Sequence, residues 1–447
     1  MLRAKARAIV SFRSVKLSKV LGILLGVALA GPCGAQAPKQ GDELRLVIVL
    51  TRHGVRTPLL TGEKLAALSS QPWPKWEADP GIQTPHGNLL VSLMGDYYRT
   101  RFTTLGLLSG DPAQDGAAVY VRADNDQRTF ETARILGKAL VPQVDPEVHA
   151  LDAGLPDPLF RPVQAHVGHP SRELAASAVL GRIGGDPSAL ERAYALQLGE
   201  LKTVLYGAGG RPPEGSPFDQ PISVAPGRGA YLVDFGGPLQ GSLNATDALL
   251  LEYADGKPDP EVGWGRLDTK TLTDLLTLHQ LFFDLSDRTF YLAQVSGSNL
   301  VAHVIDTLEQ AALGLPVPGA VGPPEEKVVI LAGHDSNIAN VGGLLGLNWI
   351  IPGSQANPAF PGGALVFELW RRTSGESQTY FVRASYVCQT LEQMRQATPL
   401  SIDRPPARAP IFIPGASGQG PTFDAPLNAL LRQARKVIDP EFTTLEP

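Results

Sequence analysis

A chain of 447 residues, 43% hydrophobic and 19% charged, is long enough to bury a large core, either in two domains or in one carrying a big insertion. Its formal net charge is −5, and loss of the six basic residues in the first 35 would take it to −11, so nucleic acid is not an expected partner and any anion-attracting field must be local. Cys33 and Cys388 are the only cysteines, which excludes a fold built on disulfides.

At the start of the chain, Arg3, Lys5, Arg7, Arg13, Lys16 and Lys19 precede an apolar stretch over 20–30 and then small residues. This is the pattern of a secretory signal peptide over 1–35, with cleavage expected after Ala35. The apolar stretch is short for a mature membrane anchor, so release into the periplasm or outside the cell is expected, with no membrane attachment afterwards.

The run LVIVLTRHGVRTP at 46–58 reads as a strand buried on both faces that ends in Arg52, His53 and Arg56, where open α/β sheets place their chemistry. Thr84 and Pro85 form a cap and first turn for a helix reaching about residue 102. A second strand is predicted over 118–124. It passes through Asn125 to a helix capped by Asp126, with Phe130, Ala133, Leu136 and Leu140 on one face and Arg128 in the first turn beside free amides. Helical patterns follow over 188–206, 245–254, 269–285 and 299–313, separated by Pro/Gly-rich connectors. Strands return at 328–332, 364–372 and 380–389, the first running through Gly333 into His334 and Asp335. A short extended piece at 410–414 and a surface helix at 427–437 close the chain. The simplest fold is α/β, a mainly parallel sheet flanked by helices with a helical insertion domain. Arg52, His53, Arg56, Arg128, His334 and Asp335 would all sit in an α/β domain of 41–155 and 316–447, and the mainly helical insertion would be 156–315.

A phosphate monoester dianion needs fixed positive charge, and Arg offers paired planar donors that stay ionised at any working pH. Arg52, Arg56 and Arg128 can supply them. Their charges should lower the pKa of His53 and keep its ring neutral, able to attack phosphorus in line and form a phosphohistidine. Expulsion of an alkoxide needs a proton, for which Asp335 is the candidate, while His334 adds a donor to the phosphoryl oxygens. Such a site calls for no metal or other cofactor. Its partner would be a small-molecule phosphomonoester. The rival from another class, a secreted phosphate-binding protein without turnover, needs neither the nucleophile nor the acid.

The segments RHGVRTP at 52–58, ADNDQRT at 123–129 and GHDSN at 333–337 together resemble the acid-phosphatase branch of the histidine phosphatase superfamily, most closely its bacterial periplasmic acid phosphatase/phytase group. The likeness extends through WPKWEADPG at 73–81, PDPLF at 156–160, GWGRLD at 263–268, LHQ at 278–280, PGGALVFELWRR at 361–372 and QTLEQMRQATPLS at 389–401. The resemblance implies His53 as nucleophile, Arg52, Arg56, Arg128 and His334 as phosphate ligands, and Asp335 as proton donor. It also implies that Asp124 and His279 lie at the pocket. Two departures bear on substrate. Leu59-Leu60 stands where phytases of this group usually carry Thr-Lys, and a basic residue expected near 296–298 is absent. Phytate binding should then be weaker, or other cations must supply it, and a glucose-1-phosphatase-like sugar phosphatase is the alternative reading.

Overall fold

In the computed structural model, residues 41–447 are described, and the predicted signal peptide lies outside them. An eight-stranded mixed sheet organises the chain, in the order β10-β8-β7-β1-β6-β2-β3 with β9 on β8. Its strands are β1 (Asp42–Arg52), β2 (Val119–Ala123), β3 (Val148–His149), β6 (Val328–Gly333), β7 (Ala364–Ser374), β8 (Ser377–Cys388), β9 (Ala407–Ile411) and β10 (Ala425–Pro426). The two remaining strands, β4 (Ser223–Pro226) and β5 (Val233–Gly236), make a separate small ribbon.

The alternation along β1 shows why it is central. Leu46, Ile48 and Leu50 enter one core while Val47 and Val49 enter the other, and all five are essentially inaccessible. Burying each such side chain is worth about 1.5–3 kcal/mol. One half of the sheet, β1-β6-β2-β3, is parallel. The other half is antiparallel, beginning where β7 pairs with β1. A two-residue loop joins β7 to β8, and a positive φ of 60° at Gly375 permits that tight turn. Helices cover the sheet, among them Pro85–Thr104 and Gln127–Leu140 against one core and Asp335–Leu344 at the end of β6. Between residues 156 and 315 lie six α-helices, including Pro238–Ala254, Thr269–Ser286 and Phe290–Leu313, together with two short 3-10 helices and the β4–β5 ribbon.

Local expectations mostly hold. Thr84 accepts from the Gly87 amide at 2.9 Å with Pro85 in the first turn, and the Leu427–Val437 helix has its predicted bounds. Three expectations need correction. The pattern over 188–206 forms two helices, broken at Tyr194, rather than one. Phe130 is 40% exposed and does not share the buried face of its helix; Thr129 and Thr132 are buried instead because their hydroxyls bond the Asp124 carbonyl and Gln83 Oε1, both at 2.6 Å. Asp126 occupies the cap position, but its side chain makes no cap bond because it is drawn to two guanidiniums described below. Among the described residues no helix is long and apolar enough to cross a membrane.

Candidate active site

Strand register assembles the centre. Arg52 on β1 lies opposite Gly333 on β6 in a parallel pairing, so the next residue of each strand, His53 and His334, emerges side by side. Their rings are 5.7 Å apart and nearly perpendicular, at 73°. On the other flank of β6, Ala123 pairs with Ala332, and Asp124 follows with its amide on the Ala332 carbonyl at 3.0 Å. Three adjacent parallel strands thus deliver two imidazoles and a carboxylate at one level, the place where such sheets leave backbone ends free for ligands.

His53 is buried. Its Nδ1 lies 2.8 Å from the Gly54 carbonyl oxygen. Since a carbonyl only accepts, Nδ1 carries the proton and Nε2 keeps its lone pair. Burial drives the His53 pKa well below the ordinary imidazole value, and the Arg52, Arg56 and Arg128 charges add to the effect. Behind His53, the Gly54 amide donates to Gln83 Oε1 at 3.1 Å and Thr132 Oγ1 at 2.9 Å. A Cβ at residue 54 would come within 2.9 Å of both Gln83 Oε1 and a Val91 methyl, so only glycine lets the turn sit this close.

The guanidiniums are held by carboxylates. Arg52, with no exposed side-chain surface, donates Nη1 to the Ala359 carbonyl at 2.6 Å, and its Nη2 faces Asp335 Oδ2 at 3.1 Å and Asp247 Oδ1 at 3.4 Å. Arg56 reaches the other Asp247 oxygen at 3.1 Å. Arg128 pairs with Asp126 at 2.5 Å. Burial alone would raise the carboxyls of Asp335 and Asp247; the arginines reverse this and hold both below the usual carboxylate range. His334 Nε2 donates to Asp124 Oδ2 at 2.5 Å, and its amide donates to Asn337 Oδ1 at 2.8 Å, fixing it at the start of the Asp335–Leu344 helix. His279, on the Thr269–Ser286 helix, is buried and pushed down to about 4 by burial, aided by Arg52 and Arg56 and opposed by Asp247 and Asp335. All eight residues singled out from the sequence therefore converge: Arg52, His53, Arg56, Asp124, Arg128, His279, His334 and Asp335.

The model of the histidine phosphatase superfamily (branch 2) matches residues 43–188 and 243–387. Phytase AppA of Escherichia coli (strain K12) is 32% identical over 410 residues, covering 88% of this chain and 92% of that protein. A glucose-1-phosphatase of Providencia rettgeri is 26% identical over 404 residues, or 87% of this chain and 91% of the relative. Among solved structures, Hafnia alvei phytase in complex with tartrate superposes with a TM-score of 0.82 at 34% identity, covering 91% of this chain and all of its own. The chain belongs to the histidine phosphatase superfamily, branch 2.

Three charged residues at the centre of this histidine phosphatase were not singled out as site residues from the sequence. Asp247 comes from the Pro238–Ala254 helix, most of whose side chains are buried. A carboxylate on such a helix needs a cationic partner, and that was the available signal. Asp126, read only as a cap, joins Arg128 to Arg161. Arg161, just after PDPLF, donates Nε to Asp124 at 2.5 Å and places Nη2 3.3 Å from His334 Nε2. Donor atoms of Asp124, Asp126 and His334 lie within 4.8 Å of one another, a spacing that suits a metal, but the Arg128 and Arg161 guanidiniums already neutralise the two carboxylates. On the rim, Leu59 is half-exposed and flanks Gly81 together with Arg128, so apolar surface borders the guanidinium cluster there.

Proposed function

We propose that this histidine phosphatase hydrolyses phosphomonoesters through a phosphohistidine at His53, after export across the inner membrane. The observation that carries the reading is the state of His53, a neutral imidazole with Nδ1 tied to its own turn and Nε2 unprotonated among three guanidiniums. In the first step the Nε2 lone pair attacks phosphorus, the bond to the ester oxygen breaks, and that oxygen leaves with the Asp335 proton as the free alcohol. Water then attacks the phosphoryl group, Asp335 takes the water proton, and the P–N bond breaks to return neutral His53 and inorganic phosphate. Arg52, Arg56, Arg128 and His334 would bind the phosphoryl oxygens and stabilise charge as it develops. Asp247 would keep Arg52 and Arg56 aimed at the phosphoryl group, and Asp124 would orient His334. His279 would line the pocket. Export rests on the basic and apolar pattern of residues 1–35.

The test is chemical trapping. Wild-type protein quenched during turnover should carry an acid-labile, base-stable phosphoryl group, and His53→Ala should lose both the label and turnover. Near wild-type turnover in that variant would overturn the assignment.

A further inference from the structure

Arg161 belongs to none of the segments that carry the phosphatase chemistry, yet its loop is tightly built. The buried Asp157 carboxylate accepts from Arg122 of β2 at 3.0 and 3.2 Å and from the Leu159 amide at 2.8 Å. The Pro158 carbonyl accepts from Asn299 Nδ2 at 2.9 Å, and the Phe160 carbonyl accepts from Asn337 Nδ2 at 2.8 Å. Sheet, Phe290–Leu313 helix and Asp335–Leu344 helix therefore all grip residues 157–160 and fix where Arg161 begins. Its head is held at Nε by Asp124 and at Nη2 by Asp126, while the side chain stays 28% exposed and Nη1 has no hydrogen-bond partner among the described residues.

The charges around the site say why this matters. With His53 neutral, Arg52, Arg56 and Arg128 are paired with three carboxylates, those of Asp126, Asp247 and Asp335, while Asp124 is held by His334 and Arg161. A phosphate dianion would enter a cradle whose three guanidiniums are already matched by carboxylates. Arg161 adds a further positive charge, and does so from the rim, with one edge of a rigid fork turned to solvent. Positions 60 and 296, where the phytase pattern would place a cation, hold Leu60 and Ser296 and supply none.

We propose that Arg161 is a specificity-determining residue whose free edge binds a second phosphate carried beside the scissile one, so that the enzyme favours bisphosphorylated esters over esters of neutral alcohols. This rests on the phosphomonoesterase reading above. A matched pair tests it: ethane-1,2-diol bisphosphate against 2-hydroxyethyl phosphate, which share a primary alkyl leaving group. Wild type should favour the bisphosphate in kcat/KM by well over the factor of two due to its two equivalent ends. Arg161→Gln should lower both rates but cost the bisphosphate about tenfold more, the scale of one charge-assisted contact at a partly exposed site. Arg161→Lys, which keeps the charge, should retain most of the preference. Equal losses on both substrates would mean that Arg161 only positions Asp124 and His334, and would overturn the proposal while leaving the phosphatase reading intact. Failure of wild type to turn over either substrate would overturn the phosphatase reading itself. Should the Gln variant not fold, inhibition of wild type by ethane-1,2-bisphosphonate and by ethylphosphonate reads the same preference, and equal inhibition constants would overturn it.

Discussion

Replacing Asp335 with Asn separates proton donation from charge balance. Asp335 Oδ2 lies 3.1 Å from Arg52 Nη2, and that guanidinium together with His279, His334 and Arg56 outweighs burial and holds the carboxyl below the usual carboxylate range. A general acid must hold a proton, so something has to change when substrate arrives. The bound phosphate supplies the change, because it engages the guanidiniums and brings negative charge against the carboxylate. Two like unit charges ~5 Å apart at an effective dielectric of ~20 repel by about 3 kcal/mol, an upper value for a side chain that keeps some solvent contact. That repulsion moves the Asp335 pKa back up, so the carboxyl is protonated in the complex and the kcat profile should fall at higher pH than the free-enzyme profile of kcat/KM. Asn at 335 removes the repulsion and the proton together. Inorganic phosphate should therefore bind several-fold more tightly, while phosphorylation by an alkyl or sugar phosphate slows by about 10²–10⁴-fold, the usual worth of general acid catalysis. With p-nitrophenyl phosphate, whose phenolate leaves unaided, the loss should be far smaller. Rapid-quench single-turnover rates of phosphorylation are the assay, since the shared dephosphorylation step would mask the contrast. Equal losses across leaving groups, or weaker phosphate binding, would refute the reasoning.

Activity should survive exhaustive chelation, because guanidiniums supply the positive charge that a metal would bring; loss with EDTA that one divalent ion restores would show that the cluster has been misread. Glu368 makes a stability prediction: it is buried between Arg101 at 2.8 Å and Arg408 at 2.9 Å, which overcome burial and lower its pKa from 4.5 to about 2. A lowered carboxylate pKa stabilises the fold above pH 4.5, here by about 3 kcal/mol, and the contribution is lost as pH falls from there towards 2. Glu368→Gln should thus cost about 3–5 kcal/mol at pH 7, by leaving two arginines unpaired, and should show a shallower acid loss in denaturant titrations; a loss as steep as wild type would contradict the assignment.

His53 and His334 were legible in the sequence because each ends a run of apolar residues dense enough to mark a buried parallel strand, and neighbouring parallel strands place successive chain ends together. Arg128 was legible for a related reason, since a helix start after such a strand turns its first residues towards the same edge. Asp247 and Arg161 were not. One lies within a helix and the other after a loop, and no local periodicity says which sheet edge either element will meet; register across 195 residues of sequence brings Asp247 to Arg52. The antiparallel half of the sheet was under-read for a similar reason. Its strands were visible one by one, but β1 pairs with β7 rather than with a second parallel neighbour, and nothing in either strand's own pattern of residues marks that partner or its direction.

The place of β1 also governs when the enzyme can come to life. Its two neighbours are β6 and β7, so Val47 must wait for Val328 and Glu368 before its ladder can close. Nothing made earlier can substitute, because β2 pairs only with β6 and β3. A growing chain therefore carries an apolar, unpaired strand, with His53 just past its end, until synthesis is nearly three-quarters complete, the kind of long-range closure that slows folding and invites aggregation. The same delay would keep the polypeptide threadable, and harmless to phosphorylated metabolites, until its last third has emerged.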